Sequence, residues 1–249
     1  MRSLADSRVL LLGAGGLGSI AGLVLARSGI GQITVVDQDR VDLSNLHRQL
    51  LYTEADQGQG KAALAADRLA REAHKCGNKL DTVAREIHAV PDTIGDLIEG
   101  HDLIVEGTDN FASKFMTADA ARLAGVPVVH AGAVRWVGWA LGSSAHRGPC
   151  LRCVFEDIPT EHPETCAAAG VVGPVVGVLG ALQARLALQL LGDQAHACRT
   201  WYSYQALGYG LRQLRAPDNP GCPLCAGHIQ EMNMARYVRA ACATEPVAG

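Results

Sequence analysis

A glycine-rich turn near the N-terminus has the composition of a nucleotide-binding loop. The run Gly13-Ala-Gly-Gly-Leu-Gly18 follows the apolar segment Arg8–Leu12 and opens a segment of helical spacing, Leu17–Arg27. A strand, turn and helix in this order let the backbone approach a phosphate and aim helix N–H groups at it. Asp37 ends the next predicted strand, where a carboxylate can accept hydrogen bonds from ribose hydroxyls. Alone, this pattern also fits an NAD or FAD site, or a turn without a ligand.

The segment after Asp37 favours ATP over a dinucleotide. A dinucleotide fold normally enters a helix soon after its acidic residue, whereas here a polar loop carries Asn45, Arg48 and Gln49. Lys61 then follows a glycine at the start of a predicted helix. Arg48 can grip phosphate oxygens as a fork and Lys61 as a point charge. The alternative for Lys61 is a solvated helix N-terminus.

A further polar segment ends the predicted strand Asp102–Glu106. In Gly107-Thr-Asp-Asn110, Asp109 falls at the carboxyl edge of the sheet, where open α/β folds bind ligands. A carboxylate there can hold the Mg²⁺ that accompanies ATP. Alternatively, Asp109 or Asn110 caps the helix that begins near Phe111.

Eight cysteines in a chain of 249 residues indicate metal or sulfur chemistry, since a cytosolic protein rarely keeps disulfides. Four of them form two C-x-x-C pairs, Cys150 with Cys153 and Cys222 with Cys225. Two such pairs can complete a closed tetrahedral Zn²⁺ site that staples the C-terminal part. A redox C-x-x-C or unliganded core cysteines are the alternatives. Cys166 lies in a polar loop as an accessible thiol.

The elements that must position these residues alternate between strand and helix in the first half of the chain. This pattern predicts a Rossmann-like, mostly parallel sheet with helices on both faces. The second half has strands at Ala133–Ala145 and Thr200–Leu214 around a long helix, Pro174–Leu191, and predicts a smaller antiparallel part. We therefore expect an ATP-binding half (1–132), a zinc-bearing half of the same domain (133–225) and a tail (226–249).

Composition limits the partners. A net charge of −3 gives no electrostatic reason to expect nucleic acid or an anionic membrane. The N-terminus lacks the apolar core of a signal peptide, and polar residues and Pro174 interrupt the longest apolar stretch, Val171–Leu191. We expect a cytoplasmic protein.

Taken in order, these motifs resemble the ubiquitin-activating-type adenylyltransferases of the ThiF, MoeB and HesA family. The resemblance runs from Arg8 to Cys225 and includes the segments D-Q-D-R-V-D-L-S-N-L-H-R-Q and T-C-A-A-A-G-V-V-G-P-V-V-G. It implies ATP binding by Gly13, Gly15, Gly16, Gly18, Asp37, Ser44, Asn45, Arg48, Gln49, Lys61, Asp109 and Asn110. It makes Asp109, with magnesium, the catalytic carboxylate beside Arg48 and Lys61, and gives Cys166 a carrier linkage or a role in sulfur transfer.

The resemblance also implies a function, in which residues 133–225 form the carrier-binding half. A homodimer would transfer AMP to the C-terminal Gly-Gly carboxylate of a ubiquitin-like sulfur carrier of the ThiS or MoaD type, releasing pyrophosphate ahead of thiocarboxylate formation for thiamin or molybdopterin. The chain lacks the length for a rhodanese domain, so a separate sulfur donor is expected.

The sequence departs from the family pattern in one respect. It lacks the N-terminal Arg-x-x-Arg motif, whose role Arg2 would have to take over. This departure favours a protein of a different class, a non-catalytic dimer scaffold that binds the carrier. Adenylation of a small-molecule or tRNA-borne carboxylate and an NAD-dependent oxidoreductase are the remaining alternatives.

Overall fold

The computed structural model describes residues 3–146, 148–158, 170–192, 195–208 and 210–238. Their strands are β1 Arg8–Leu12, β2 Gln32–Val36, β3 Asp81–Arg85, β4 Leu103–Glu106, β5 Val128–Val134, β6 Val137–Ser143, β7 Thr200–Gln205 and β8 Gly210–Arg215. They form one sheet in the order β3-β2-β1-β4-β5-β6-β7-β8. Pairing is parallel from β3 to β5 and antiparallel from β5 to β8. The predicted fold class is confirmed.

Helices cover both faces of this sheet. They are α1 Gly16–Arg27, α2 Lys61–Lys75, α3 Ile94–Ile98, α4 Phe111–Ala124, α5 Leu151–Phe155, α6 Gly173–Leu191 and α7 Met234–Val238. Strand β1 is buried on both sides: Val9 and Leu11 join the apolar cluster under α1, α2 and α6, whereas Leu10 and Leu12 join the cluster under α3, α4 and α7. Because successive side chains alternate across a strand, its continuous apolar run marks the central strand.

Helix α6 is the longest helix of the described residues. It is long and apolar enough to cross a membrane, with a mean hydropathy of 1.5, but half of its apolar window is buried inside the domain. It packs against α1, β5 and β6. The helix is therefore part of the core of the domain.

The antiparallel part differs from the prediction in its boundaries. Strand β5 continues to Val134, and the chain reverses at Arg135 and Trp136 before β6 begins. Arg135 has a φ of 51°, an unusual left-handed conformation for a residue other than glycine. The sequence gives no turn signal there, so the predicted strand at Ala133–Ala145 included the turn.

Part of the segment predicted as a tail packs onto the domain. Within residues 226–238, Ile229 lies against the cysteine pairs, and Tyr237 on α7 is 5% exposed. The short helices α3, α5 and α7 were not predicted, because five residues are too few to display helical periodicity.

Candidate active site

A cavity of about 660 Å³ opens at the carboxyl ends of β1, β2 and β4. The connection from β1 to β2 packs on one face of the sheet and that from β3 to β4 on the other, so strand order reverses beside β1. Such a switch point is where open α/β sheets bind ligands. Most of the predicted nucleotide residues line this cavity: Gly13, Gly15, Gly16, Asp37, Asn45, Arg48, Gln49, Lys61, Asp109 and Asn110.

The glycine turn that follows β1 is built for close backbone packing. Gly13 has a φ of 85°, and a Cβ on Gly18 would lie 1.9 Å from the Gly13 carbonyl oxygen. Gly18 is therefore required by the turn and does not line the cavity. Helix α1 begins after Gly15 without a side-chain cap, which leaves its first N–H groups available to an anion.

Asp37 holds the glycine turn and borders the cavity. Its Oδ2 accepts a hydrogen bond from the Ala14 amide at 2.7 Å, and its Oδ1 accepts one from the Asp39 amide at 2.8 Å. Burial raises the pKa of Asp37, while these hydrogen bonds and Lys61 oppose the rise. The carboxylate keeps lone pairs that ribose hydroxyls could use.

Lys61 is a buried cation at the N-terminus of α2. It is 4% exposed, and its Nζ lies 3.0 Å from Oδ2 of Asp39, whose side chain is 60% exposed. The solvated helix terminus considered from the sequence does not fit this burial. Tyr52, which sequence reasoning missed, donates a hydrogen bond to the Ala14 carbonyl and so braces the turn against the loop.

The loop before α2 supplies a second cation and an amide. Arg48 donates to Asn45 Oδ1 at 2.5 Å, which aims its guanidinium along the cavity wall. Gln49 is 4% exposed, and its Oε1 has no hydrogen-bond partner among the described residues. An orphaned acceptor in a cavity wall fits a ligand that brings donors. Ser44 bonds to Asp42 instead and does not line the cavity.

In the turn after β4, helix capping and cavity lining fall to two different residues, Asn110 and Asp109. Asn110 Oδ1 accepts a hydrogen bond from the Ser113 amide at 2.8 Å and thereby caps α4. The capping position is thus taken by Asn110, and the exposed Asp109 carboxylate lines the cavity. A carboxylate at this edge could ligate a divalent cation.

A charged cluster lies beneath that turn. Glu106 is fully buried, with its Oε2 at 2.9 Å from Lys114 Nζ and 3.2 Å from His130 Nδ1. Burial alone would raise the pKa of Glu106, but the charge of Lys114 and the bond with His130 hold it at about 2. Burial lowers the pKa of His130, so its ring is neutral at pH 7. Sequence reasoning missed this cluster.

The cavity continues beyond the nucleotide residues. Ile87, His88 and Ala89, which follow β3, form one wall. Their position after a parallel strand was a usable signal, because such strand ends share one edge. The opposite end reaches the antiparallel half at Val137 and Trp139. A ligand larger than a nucleotide could therefore extend from the parallel half toward the antiparallel half.

The two C-x-x-C pairs meet in one cluster, as predicted. The sulfurs of Cys150, Cys153, Cys222 and Cys225 all lie within 4.8 Å of one another, with neighbouring pairs at 3.5–3.8 Å. A tetrahedral zinc with Zn–S bonds of about 2.3 Å needs sulfurs about 3.8 Å apart. The contact between Cys150 and Cys225 lowers the pKa of Cys225 and raises the pKa of the buried Cys150 thiol. The four sulfurs could hold a metal ion.

Arg152, between the first two cysteines, connects this cluster to α4. Its guanidinium forms a two-point ion pair with Asp119 at 2.8 and 2.9 Å. Tyr237 of α7 donates to the same carboxylate at 2.8 Å. The cysteine cluster and the C-terminal helix are therefore both anchored on the helix that follows Asp109. Cys166 and Arg2 lie outside the described residues.

Comparison with known proteins identifies the chain's relatives. The model of the ThiF family matches residues 1–224. The chain belongs to the ThiF family. The molybdopterin-synthase adenylyltransferase of Escherichia coli is 36% identical over 226 residues, covering 90% of this chain and 88% of the relative. The sulfur carrier protein adenylyltransferase of Thermus thermophilus is 35% identical over 243 residues, covering 94% and 88%.

Other ThiF relatives are longer. The adenylyltransferase and sulfurtransferase MOCS3 of Dictyostelium discoideum is 36% identical over 227 residues, and this chain spans 52% of its length. Among solved structures, E. coli MccB crystallised with ATP has a TM-score of 0.73 at 21% identity, covering 89% of this chain and 67% of that chain. This likeness supports the fold. The relatives' names confirm the predicted enzyme class, adenylyltransferase.

Proposed function

We propose that this ThiF protein uses ATP to adenylate the C-terminal glycine carboxylate of a ubiquitin-like sulfur carrier of the ThiS or MoaD type. The observation that carries the proposal is the shared cavity, which joins Asp37, Arg48, Lys61 and Asp109 and continues into the antiparallel half. The relatives from E. coli and T. thermophilus act, by name, in molybdopterin synthesis and on a sulfur carrier.

The ligand would enter with its phosphates over the start of α1. Arg48 and Lys61 would neutralise phosphate oxygens, with Lys61 moving its ammonium from the exposed Asp39 to the ligand. Asp37 would accept hydrogen bonds from the ribose, and the orphaned Gln49 Oε1 would gain a donor. Asp109 would hold Mg²⁺, which when bound adds positive charge at the phosphates.

The reaction needs alignment rather than a covalent enzyme intermediate. One oxygen of the carrier's carboxylate forms a bond to the α-phosphorus of ATP. The bond from that phosphorus to the bridging oxygen breaks, and pyrophosphate leaves with the electron pair. Lys61 and Arg48 stabilise the charge that develops in line. The acyl-adenylate then carries AMP as a leaving group for a separate sulfur donor, ahead of thiocarboxylate formation.

Three further proposals complete this function. The four cysteines bind a structural Zn²⁺, because four sulfurs leave no open position for a substrate. The protein works in the cytoplasm, where its thiols stay reduced.

The protein works as a homodimer through α1 and α6, whose outer faces form a shallow groove at Val24, Ala181 and Leu188. Ala181→Glu should give monomers in sedimentation velocity, and a monomeric wild type would refute this dimer.

The decisive test is ATP–pyrophosphate exchange with purified protein, Mg²⁺ and each candidate carrier in turn. Exchange that requires the terminal glycine of one carrier would establish the reaction and the partner. A carrier shortened by that glycine is the matched control. ATP binding without exchange for any carrier would contradict the proposal and favour a scaffold or a small-molecule substrate.

A further inference from the structure

The turn that carries Asp109 is fixed by a single buried ammonium group. Lys114 is 4% exposed, and its Nζ donates to Glu106 Oε2 at 2.9 Å, to the Thr108 carbonyl at 2.7 Å and to the Ala131 carbonyl at 2.6 Å. A lysine has three N–H donors, and all three are used. The ammonium thus links the turn to both β4 and β5.

Glu106 fixes the other side of the same residue. Its Oε1 accepts hydrogen bonds from the Thr108 amide at 2.8 Å and from the Thr108 hydroxyl. The Thr108 amide and carbonyl are therefore both held, and the next residue in the chain is Asp109. Helix α6 adds a further brace, since Gln183 donates to the Glu106 carbonyl at 2.6 Å.

We propose that Lys114, acting through Glu106 and Thr108, is a positioning residue that sets the place of the Asp109 carboxylate. Where it concerns adenylation, this inference rests on the proposed function. Lys114 lines the same cavity, but its three donors are already occupied by Glu106, Thr108 and Ala131, so it is not available as a phosphate ligand. Phosphate binding falls to Arg48 and Lys61, which line the cavity as well.

Charge balance explains why a lysine serves here. Glu106 has no exposed surface, and Lys114 is the one cation that contacts it among the described residues; the neighbouring His130 is neutral. An uncompensated carboxylate below the turn would repel the anionic ligand above it. Lys114 therefore both ties the turn and cancels that charge.

Deuterium exchange of the unliganded protein tests the tie directly. In Lys114→Met, the peptide covering residues 103–112 should exchange about tenfold faster, while peptides elsewhere keep their rates. Lys114→Arg keeps a cation and several donors and should restore most of the protection. Lys79→Met, at an exposed lysine, is the matched control. If Lys114→Met does not fold, Glu106→Gln with Lys114→Met removes both charges and leaves the turn untied. Unchanged exchange at residues 103–112, or equal acceleration across the whole chain, would overturn the inference.

Exchange kinetics then test positioning during the reaction. For Lys114→Met, kcat of ATP–pyrophosphate exchange should fall about 100-fold, with KM for ATP within about threefold of the wild type. A raised KM with normal kcat would assign Lys114 to ATP binding and overturn positioning. If the wild type itself shows no exchange, the proposed function fails, while deuterium uptake still decides the role of Lys114.

Discussion

Replacing Arg152 should cost this protein a large part of its stability. The Arg152 side chain is 3% exposed and that of Asp119 is fully buried, and the two form a two-point ion pair. In Arg152→Met the apolar stem is kept, but among the described residues the Asp119 carboxylate retains only the hydroxyl of Tyr237 as a donor. Breaking a buried pair from one side costs about 3–5 kcal/mol, because an uncompensated charge remains.

For a chain of this size, 1 kcal/mol corresponds to roughly 2–4 °C in Tm, so Arg152→Met should melt roughly 6–20 °C lower in calorimetry. Arg199→Met is the matched control. Arg199 also contacts both oxygens of an aspartate, Asp218, but the side chains are 36% and 58% exposed, so its loss should cost at most about 1 kcal/mol.

A buried carboxylate without its cation differs from a simple packing defect in how it can be rescued. In Arg152→Met the Asp119 carboxylate stays buried without its cation, so removing that carboxylate charge as well should relieve part of the deficit. Adding Asp119→Asn should recover part of the lost Tm at pH 8. Equal melting of Arg152→Met and Arg199→Met at all pH values would refute this reasoning.

Four other predictions concern the site and the metal. Asp109→Ala should stay folded and bind ATP but form almost no adenylate in the exchange assay; normal exchange would remove Asp109 from the reaction. Cys222→Ser should release zinc, measured by atomic emission, and lower Tm; unchanged zinc would refute the four-sulfur site. Gly18→Ala should fail to fold, because its Cβ would lie 1.9 Å from a carbonyl oxygen. In Gly15→Ala the nearest atom would lie 3.6 Å from the Cβ, so this variant should fold but bind ATP more weakly in titration calorimetry. Equal stability of the two variants would contradict the steric argument. The pKa of Glu106 lies near 2 in the folded protein and about 4.3 in the unfolded chain, so its ionisation adds about 3 kcal/mol to the free energy of unfolding. This contribution is fully present above pH 5 and is lost as the pH falls toward 2. Glu106→Gln should flatten this part of the profile of Tm against pH, and an unchanged profile would show that Glu106 does not cause it.

The sequence was sufficient for the parallel half because its signals are local. A strand, a glycine turn and a helix can each be recognised from adjacent residues, and parallel strands then force their carboxyl ends to one edge. That constraint brings Gly13, Asp37 and Asp109 into one cavity although they are far apart in the chain. The cysteine cluster was predictable for a related reason. Each C-x-x-C pair can be recognised from adjacent residues, and a closed tetrahedral zinc site needs the four sulfurs of two such pairs.

The buried ionic groups were not predictable, because a charged residue in a helix has the same local pattern whether it faces solvent or the core. Lys114 pairs with the end of a strand eight residues earlier, and Arg152 with a carboxylate thirty-three residues earlier. Both pairs depend on how α4 packs on the sheet. The turn at Arg135 was missed for a different reason, since a strained φ leaves no mark in composition.

Two alternatives left open by the sequence can be compared with the structural roles that the structure assigns to neighbouring residues. A helix needs one side-chain cap, and Asn110 supplies it at α4, so capping does not explain the aspartate beside it. A lysine at a helix N-terminus that had no role beyond contact with solvent would be exposed. Lys61 is only 4% exposed, whereas its partner Asp39 is largely solvated. Burying that ammonium carries a desolvation cost, and the largely solvated Asp39 offsets part of that cost. The arrangement is explained if an anion replaces Asp39 as its partner.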